Sequence, residues 1–196
     1  MSSDPFRCFG GADPLYAAYH DEEWGRPVTD DRALLERICL EGFQSGLSWL
    51  TILRKRDGFR AAFADFEPGR LARFGDGDVE RLLADAGIVR HRGKIEAAIA
   101  NGAATERLHA DGGTLRDLLW SHAPAHAREP PADLGDLPSS TPGSKALAKA
   151  LRGRGFRFVG PTTAYAAMQA CGVVNDHLAR CPVRDAVEAE RRRLLP

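Results

Sequence analysis

Apolar residues recur along this chain at intervals of three and four, which places them on one face of an α-helix, and Val/Ile/Thr-rich alternation is absent. Asp13 followed by Pro14 reads as an N-cap with a first-turn proline, opening the run LYAAYHDEEW at 15–24. Asp30 or Asp31 caps a second run through Leu34, Leu35, Ile38 and Cys39, which GFQSG at 42–46 breaks. Ser48 caps WLTILRKRDGF at 49–59, and further helices are predicted at 59–66, 77–86, 91–110 and 114–121. Residues 122–143 hold five prolines and many small polar residues, so they form one long loop. Two last helices follow at 144–152 and about 161–172, with GRGFRFVG between them. The expected fold is all-α. The 53 residues after the long loop are few for an independent domain. Residues 1–196 are therefore read as a single domain of two helical lobes with a groove between them.

Composition narrows the class. Apolar residues make up 43% and charged residues 28%, an ordinary globular balance. No apolar run approaches the roughly 20 residues that span a bilayer, and no signal-peptide pattern opens the chain, so no membrane partner and a cytoplasmic protein are expected. A net charge of +0 argues against binding nucleic acid by bulk charge. The charge is unevenly spread: from Ser144 onward 10 Lys/Arg face 4 Asp/Glu, leaving +6 there and −6 elsewhere. That asymmetry fits a local phosphate-facing surface, or plain solvated helix faces with a basic tail at Arg191, Arg192 and Arg193.

Four cysteines without a secretory signal read as thiols or metal ligands. Cys39 and Cys171 lie in helical apolar patterns and read as small buried hydrophobes. Cys8 and Cys181 each have a histidine nearby. Eleven residues separate Cys8 from His20, and three separate His177 from Cys181, about one helical turn. Two cysteines and two histidines form a closed tetrahedral set for zinc, which is structural rather than catalytic. The spacing equally allows four unrelated residues near the termini. If the pairs meet, the ion clips both ends of the chain together.

A pocket is the second constellation. Tyr16, Tyr19 and His20 share a helical face with Trp24 four residues on, an aromatic stripe that suits a core or a binding wall. Glu41 falls on the apolar face of its helix, three residues from Ile38 and seven from Leu34. A carboxylate there is costly unless it is used, or unless the helix bends at Gly42 and frees it to solvent. With Trp49, these residues offer flat π-faces and one acceptor, which suits an extruded, electron-poor purine. From 144 to 172 the chain reads helix, glycine-bearing hairpin, helix. Gly155 and Gly160 permit the tight turn, and Arg152, Arg154 and Arg157 add charge for a DNA phosphate.

Four segments carry a family resemblance: DPLYAAYHDEEWG at 13–25, ICLEGFQSGLSW at 38–49, AGIVRHRGKI at 86–95 and GFRFVGPTTAYAAMQACGVVNDH at 155–177. Together they resemble the DNA-3-methyladenine glycosylase I family, zinc-containing members of the helix-hairpin-helix glycosylase superfamily. The resemblance implies one zinc ion on Cys8, His20, His177 and Cys181. It implies a base pocket of Tyr16, Tyr19, Trp24, Glu41 and Trp49, with Glu41 as reader of the methylated adenine and the catalytic residue. It implies a DNA-anchoring hairpin of Gly155, Phe156, Arg157, Phe158, Val159 and Gly160, with Leu47 as a wedge in the base stack. The implied partner is double-stranded DNA containing alkylated adenine, met by a monomer. The usual superfamily lysine is missing after the hairpin, so the expected chemistry is monofunctional hydrolysis, with Asp176 a secondary candidate beside the sugar or an orienter of His177.

Two departures stand out. Phe9 follows Cys8 where family members often carry a tryptophan shortly after, and the spacing to His20 is slightly short. Rival readings are a non-catalytic zinc-stapled DNA-binding module and a zinc hydrolase with an open coordination position.

Overall fold

A computed structural model describes residues 6–125 and 128–194. Among them every regular element is a helix and none is a strand. The expected caps form. Asp13 accepts from the Tyr16 amide and opens α1 (Pro14–Glu22), Asp30 accepts from Ala33 and opens α2 (Asp31–Gln44), and Ser48 accepts from Thr51 and opens α3 (Trp49–Arg54). A break at Lys55 divides the predicted 49–59 run, and α4 (Arg56–Ala62) follows, then a short turn at Ala64–Phe66. The remaining helices are α5 (Pro68–Leu71), α6 (Asp76–Ala84), α7 (Arg92–Ala110), α8 (Leu115–Trp120), α9 (Pro142–Gly153), α10 (Pro161–Ala170) and α11 (Arg184–Arg192).

Three differences from the sequence reading bear on function. GFQSG does not end α2 at Gly42: the helix runs on to Gln44, and the break falls at Gly46, where φ is +81°. Trp24 lies beyond the end of α1 rather than on it. Helix α11 was not foreseen, because RDAVEAERR carries only one large aliphatic residue, Val187, and shows no apolar stripe. Arg191 is consequently no part of a solvated tail. It is buried, and its guanidinium donates to the carbonyls of Gly172 (2.6 Å) and Val173 (2.8 Å) and to Glu188 (2.8 Å).

Helix α2 is the hub, packing against α3, α7, α8 and α10. Around it a large core takes in Leu34, Leu35, Ile38, Phe43, Phe59, Phe63 and Phe66, continuing through Leu147, Leu151 and Met168. A smaller apolar cluster joins Cys8, Tyr19, Trp24, Leu53, Ala170, Leu178 and Cys181, so both ends of the chain meet in it. Trp49 packs against both. Glycine makes the meeting of the ends feasible: a Cβ on Gly172 (φ +73°) would sit 2.6 Å from the Gly25 carbonyl oxygen.

Candidate active site and metal-binding cluster

The pocket forms where α1, α2, α3 and α10 converge, a cavity of about 240 Å³. Its lining includes Tyr16, Tyr19, Trp24, Glu41 and Trp49, all five expected from sequence, together with Phe9, Gln44 and Gln169. Leu134 and Leu137 also line it, so part of one wall comes from the long loop. A larger, mostly apolar cavity of about 460 Å³ lies against another face of α10, under Tyr165 and Met168. No carboxylate lines that space, so chemistry favours the smaller one.

The aromatic residues are held by one another. Phe9 lies 4.9 Å from Tyr16 and 4.9 Å from Trp24 between ring centres, and Tyr19 lies 5.3 Å from Trp49. Phe9 thus forms part of the pocket wall. Trp49 Nε1 is buried and has no hydrogen-bond partner among the described residues.

Glu41 is 6% exposed, and α2 continues past Gly42 to Gln44. Burial raises its carboxyl to about 8, opposed by the Arg37 guanidinium. Arg37 lies 5.7 Å from the centre of the Tyr19 ring and donates to Glu23 at 2.6 Å. Sequence reading missed Arg37, whose i+4 spacing to Glu41 was the available signal. It also missed Gln169, which nothing in its local pattern distinguishes.

The loop after α2 is tied from two sides. Lys94 Nζ donates to the carbonyls of Phe43 (3.0 Å) and Ser45 (2.5 Å), and Gln44 Nε2 donates to that of Leu47 (3.0 Å). Leu47 itself stays 40% exposed. Across from this loop, the turn between α9 and α10 approaches α2, with Phe158 Cβ 3.5 Å from where a Cβ on Gly42 would lie. In that turn Phe156 and Val159 point into the core, while Arg157 and Phe158 are exposed. Phe158 takes a positive φ of 55°. The amide of Arg157 donates to Asn101 (2.7 Å), anchoring the turn to α7.

Cys8, His20, His177 and Cys181 are all buried, with their ligand atoms within 4.8 Å of one another. Cys181 Sγ lies 3.4 Å from His177 Nδ1 and 3.5 Å from His20 Nε2, and Cys8 Sγ lies 3.7 Å from His177 Nδ1. Sulfur and nitrogen ligands around one tetrahedral ion sit about 3.5 Å apart, given metal bonds of about 2.3 and 2.0 Å. The set can hold a metal ion. His177 and Cys181 achieve this from an irregular segment, not from the helical turn their spacing predicted. The outer nitrogens are engaged: His20 Nδ1 with Asp21 (2.7 Å) and His177 Nε2 with the Trp24 carbonyl (3.0 Å). Asp21, rather than Asp176, is the carboxylate hydrogen-bonded to a histidine of this cluster. Helix α11 supports the segment through Arg184, which donates to the His177 carbonyl. Burial pushes the Cys8 thiol up to about 12 and His177 down to about 4.

Fold and site define a helical protein with an aromatic pocket around one buried carboxylate, beside a Cys/His cluster that joins its two ends. The chain matches the methyladenine glycosylase family over residues 9–185 and belongs to it. It is 52% identical over 172 residues to DNA-3-methyladenine glycosylase 1 of Escherichia coli K12, covering 86% of this chain and 91% of that one. A crystal structure of a 3-methyladenine DNA glycosylase I, also 52% identical, superposes with a TM-score of 0.87 over 90% of this chain and 98% of that one. A 3-methyladenine DNA glycosylase I from Staphylococcus aureus, studied for its recognition of 3-methyladenine, is 35% identical, with a TM-score of 0.85 over 90% and 95% of the two chains. Among the described residues no helix is long and apolar enough to cross a membrane.

Proposed function

We propose that this chain is a monofunctional DNA glycosylase of base-excision repair. It hydrolyses the N-glycosidic bond of 3-methyladenine in alkylated double-stranded DNA, releasing the free base and leaving an abasic site. Family membership supports the activity, and relatives named for it align over nearly the whole chain. The observation that carries the mechanism is Glu41, a carboxyl held in an aromatic pocket.

A methyl on purine N3 makes the nucleoside cationic. When the C1′–N9 bond breaks, its electron pair neutralises the departing base, water oxygen bonds to C1′, and the water proton is released. Little acid catalysis is needed. Glu41, ionised beside a cationic base, accepts from its polar edge and stabilises positive character at the sugar. Tyr16, Tyr19, Trp24, Trp49 and Phe9 stack around the flipped base and exclude water.

The whole chain acts as one domain and as a monomer. Zinc is the ion suited to Cys8, His20, His177 and Cys181, and when bound it cross-links the two ends with no open position for reactive water. The α9–α10 turn is a helix-hairpin-helix element. Gly155, Arg157, Phe158 and Gly160 face the duplex there, and Phe156 and Val159 act from beneath by fixing the turn. Leu47, exposed on its tied loop, fills the gap left by the flipped nucleotide. Incubation with methylated duplex DNA, followed by chromatography of the released bases, tests the reading. Free 3-methyladenine with intact strands is the expected result, and no release by folded, zinc-loaded protein overturns it.

A further inference from the structure

The sequence offered no use for Gln169, and Asp176 was a candidate only for the sugar or for His177. The structure joins them. Gln169 lines the base pocket with Glu41, and its Nε2 donates to Asp176 Oδ2 at 2.9 Å. Asp176 is 2% exposed and also accepts from the Tyr165 hydroxyl. Arg128 Nη1 lies 3.7 Å from Asp176 Oδ1 and donates to the Tyr165 hydroxyl at 3.1 Å.

A carboxylate can only accept hydrogen bonds, whereas an amide has one accepting and one donating end. Asp176 therefore determines which way the Gln169 amide faces. The NH₂ group turns to Asp176, and the carbonyl Oε1 has no partner among the described residues. Reversing the amide would set a carbonyl against a buried carboxylate and cost Asp176 Oδ2 one of its two hydrogen bonds.

We propose that Gln169, held in this orientation by Asp176, is a specificity-determining acceptor that reads the exocyclic amine of the flipped adenine. Purines with a carbonyl at that position are rejected. The inference rests on the pocket being the 3-methyladenine site. An adenine amine carries two hydrogens, and Glu41 and Gln169 are two acceptors in one cavity.

Glu41 alone gives weaker selection. With its carboxyl raised to about 8, it accepts when ionised and donates when protonated, so near neutral pH it can bond an amine or a carbonyl. Gln169 has no such second form. A site built to bond one group and faced with its opposite discriminates strongly, because a buried polar atom is left unpaired.

The test measures release of 3-methyladenine and 3-methylguanine from one alkylated duplex by wild type, Gln169→Leu and Asp176→Asn. Gln169→Leu is expected to slow 3-methyladenine release on the order of tenfold while 3-methylguanine release changes much less. Asp176→Asn lets the amide turn and is expected to shift the product ratio toward 3-methylguanine, again on the order of tenfold. A structural role for either residue would lower both products together, and an unchanged ratio in folded variants overturns the proposal.

A wild-type measurement keeps the test open if a variant does not fold: binding of free 3-methyladenine against free 3-methylhypoxanthine. Preference for the amine on the order of tenfold is expected to persist at pH 7, where Glu41 is mostly protonated. Its collapse at pH 7 and return at pH 9 would assign the selection to Glu41 alone and overturn the role of Gln169. Failure of wild type to release 3-methyladenine at all overturns the base-pocket reading, and this inference with it.

Discussion

Two buried polar constellations sit on either side of Trp24, and they answer the cost of burial in opposite ways. At the Cys/His cluster, four ligand atoms converge from both ends of the chain, and the outer histidine nitrogens are engaged by Asp21 and the Trp24 carbonyl. One small ion would satisfy that geometry permanently. In the neighbouring pocket, Glu41 is equally buried and the lining is aromatic. Among the described residues no side chain pairs with the Glu41 carboxyl. A cluster completed by a resident ion adds to stability, whereas a pocket completed only by a passing base subtracts from it until the base arrives.

Removing the metal should have the largest effect on stability. Chelation, or Cys181→Ser, is expected to cost about 3 kcal/mol or more, lowering Tm by about 10 °C for a chain of this size. Calorimetry with and without chelator measures it. Base release should continue in chelated protein that is still folded at low temperature. Loss of activity without unfolding would place chemistry at the ion and erase the contrast.

Glu41→Gln should behave in the opposite way. Base release in single turnover is expected to fall about 100-fold, the scale for losing one electrostatic contact to a developing charge. Tm should rise. An acid whose folded pKa is raised from 4.5 to about 8 binds protons on folding, so its contribution to stability falls as pH climbs through that window. At pH 7 the cost is about 3 kcal/mol, and below about pH 4 it vanishes. Urea unfolding of wild type and Glu41→Gln between pH 4 and 8 should therefore diverge with rising pH. A constant gap would show that Glu41 is not desolvated.

Lys94→Met gives the smallest effect and sharpens the boundary of the pocket. Lys94 holds the Phe43 and Ser45 carbonyls, and through them the loop that presents Leu47. Release from duplex DNA is expected to slow about tenfold, the value of one or two charge-assisted hydrogen bonds, while affinity for free 3-methyladenine stays the same. Equal loss in both assays would mean that the loop shapes the base pocket itself.

Residues whose roles depend on local spacing were legible in the chain. The caps at Asp13, Asp30 and Ser48 are short-range hydrogen bonds, and an aspartate or serine before an apolar run announces them. Glu41 was legible because a carboxylate on an apolar stripe contradicts its neighbours. The two Cys/His pairs were visible as pairs, but spacing gave no means of bringing residues 8 and 177 together. Helix α11 was illegible because its contribution is polar. Arg184 and Arg191 satisfy carbonyls of the irregular segment that carries His177, which a hydrophobic pattern does not record.

By itself, the sequence determined an all-helical chain, the start of each of its first three helices, one out-of-place carboxylate and two candidate ligand pairs. These follow from periodicity and from the fixed reach of side chains along a helix. Tertiary structure alone decided that the pairs converge, that Phe9 and the long loop complete the pocket wall, and that Asp176 faces Gln169 instead of a metal ligand. Each of those is a meeting of distant segments. Such meetings are chosen by packing the whole core at once, and no local window of residues carries that information.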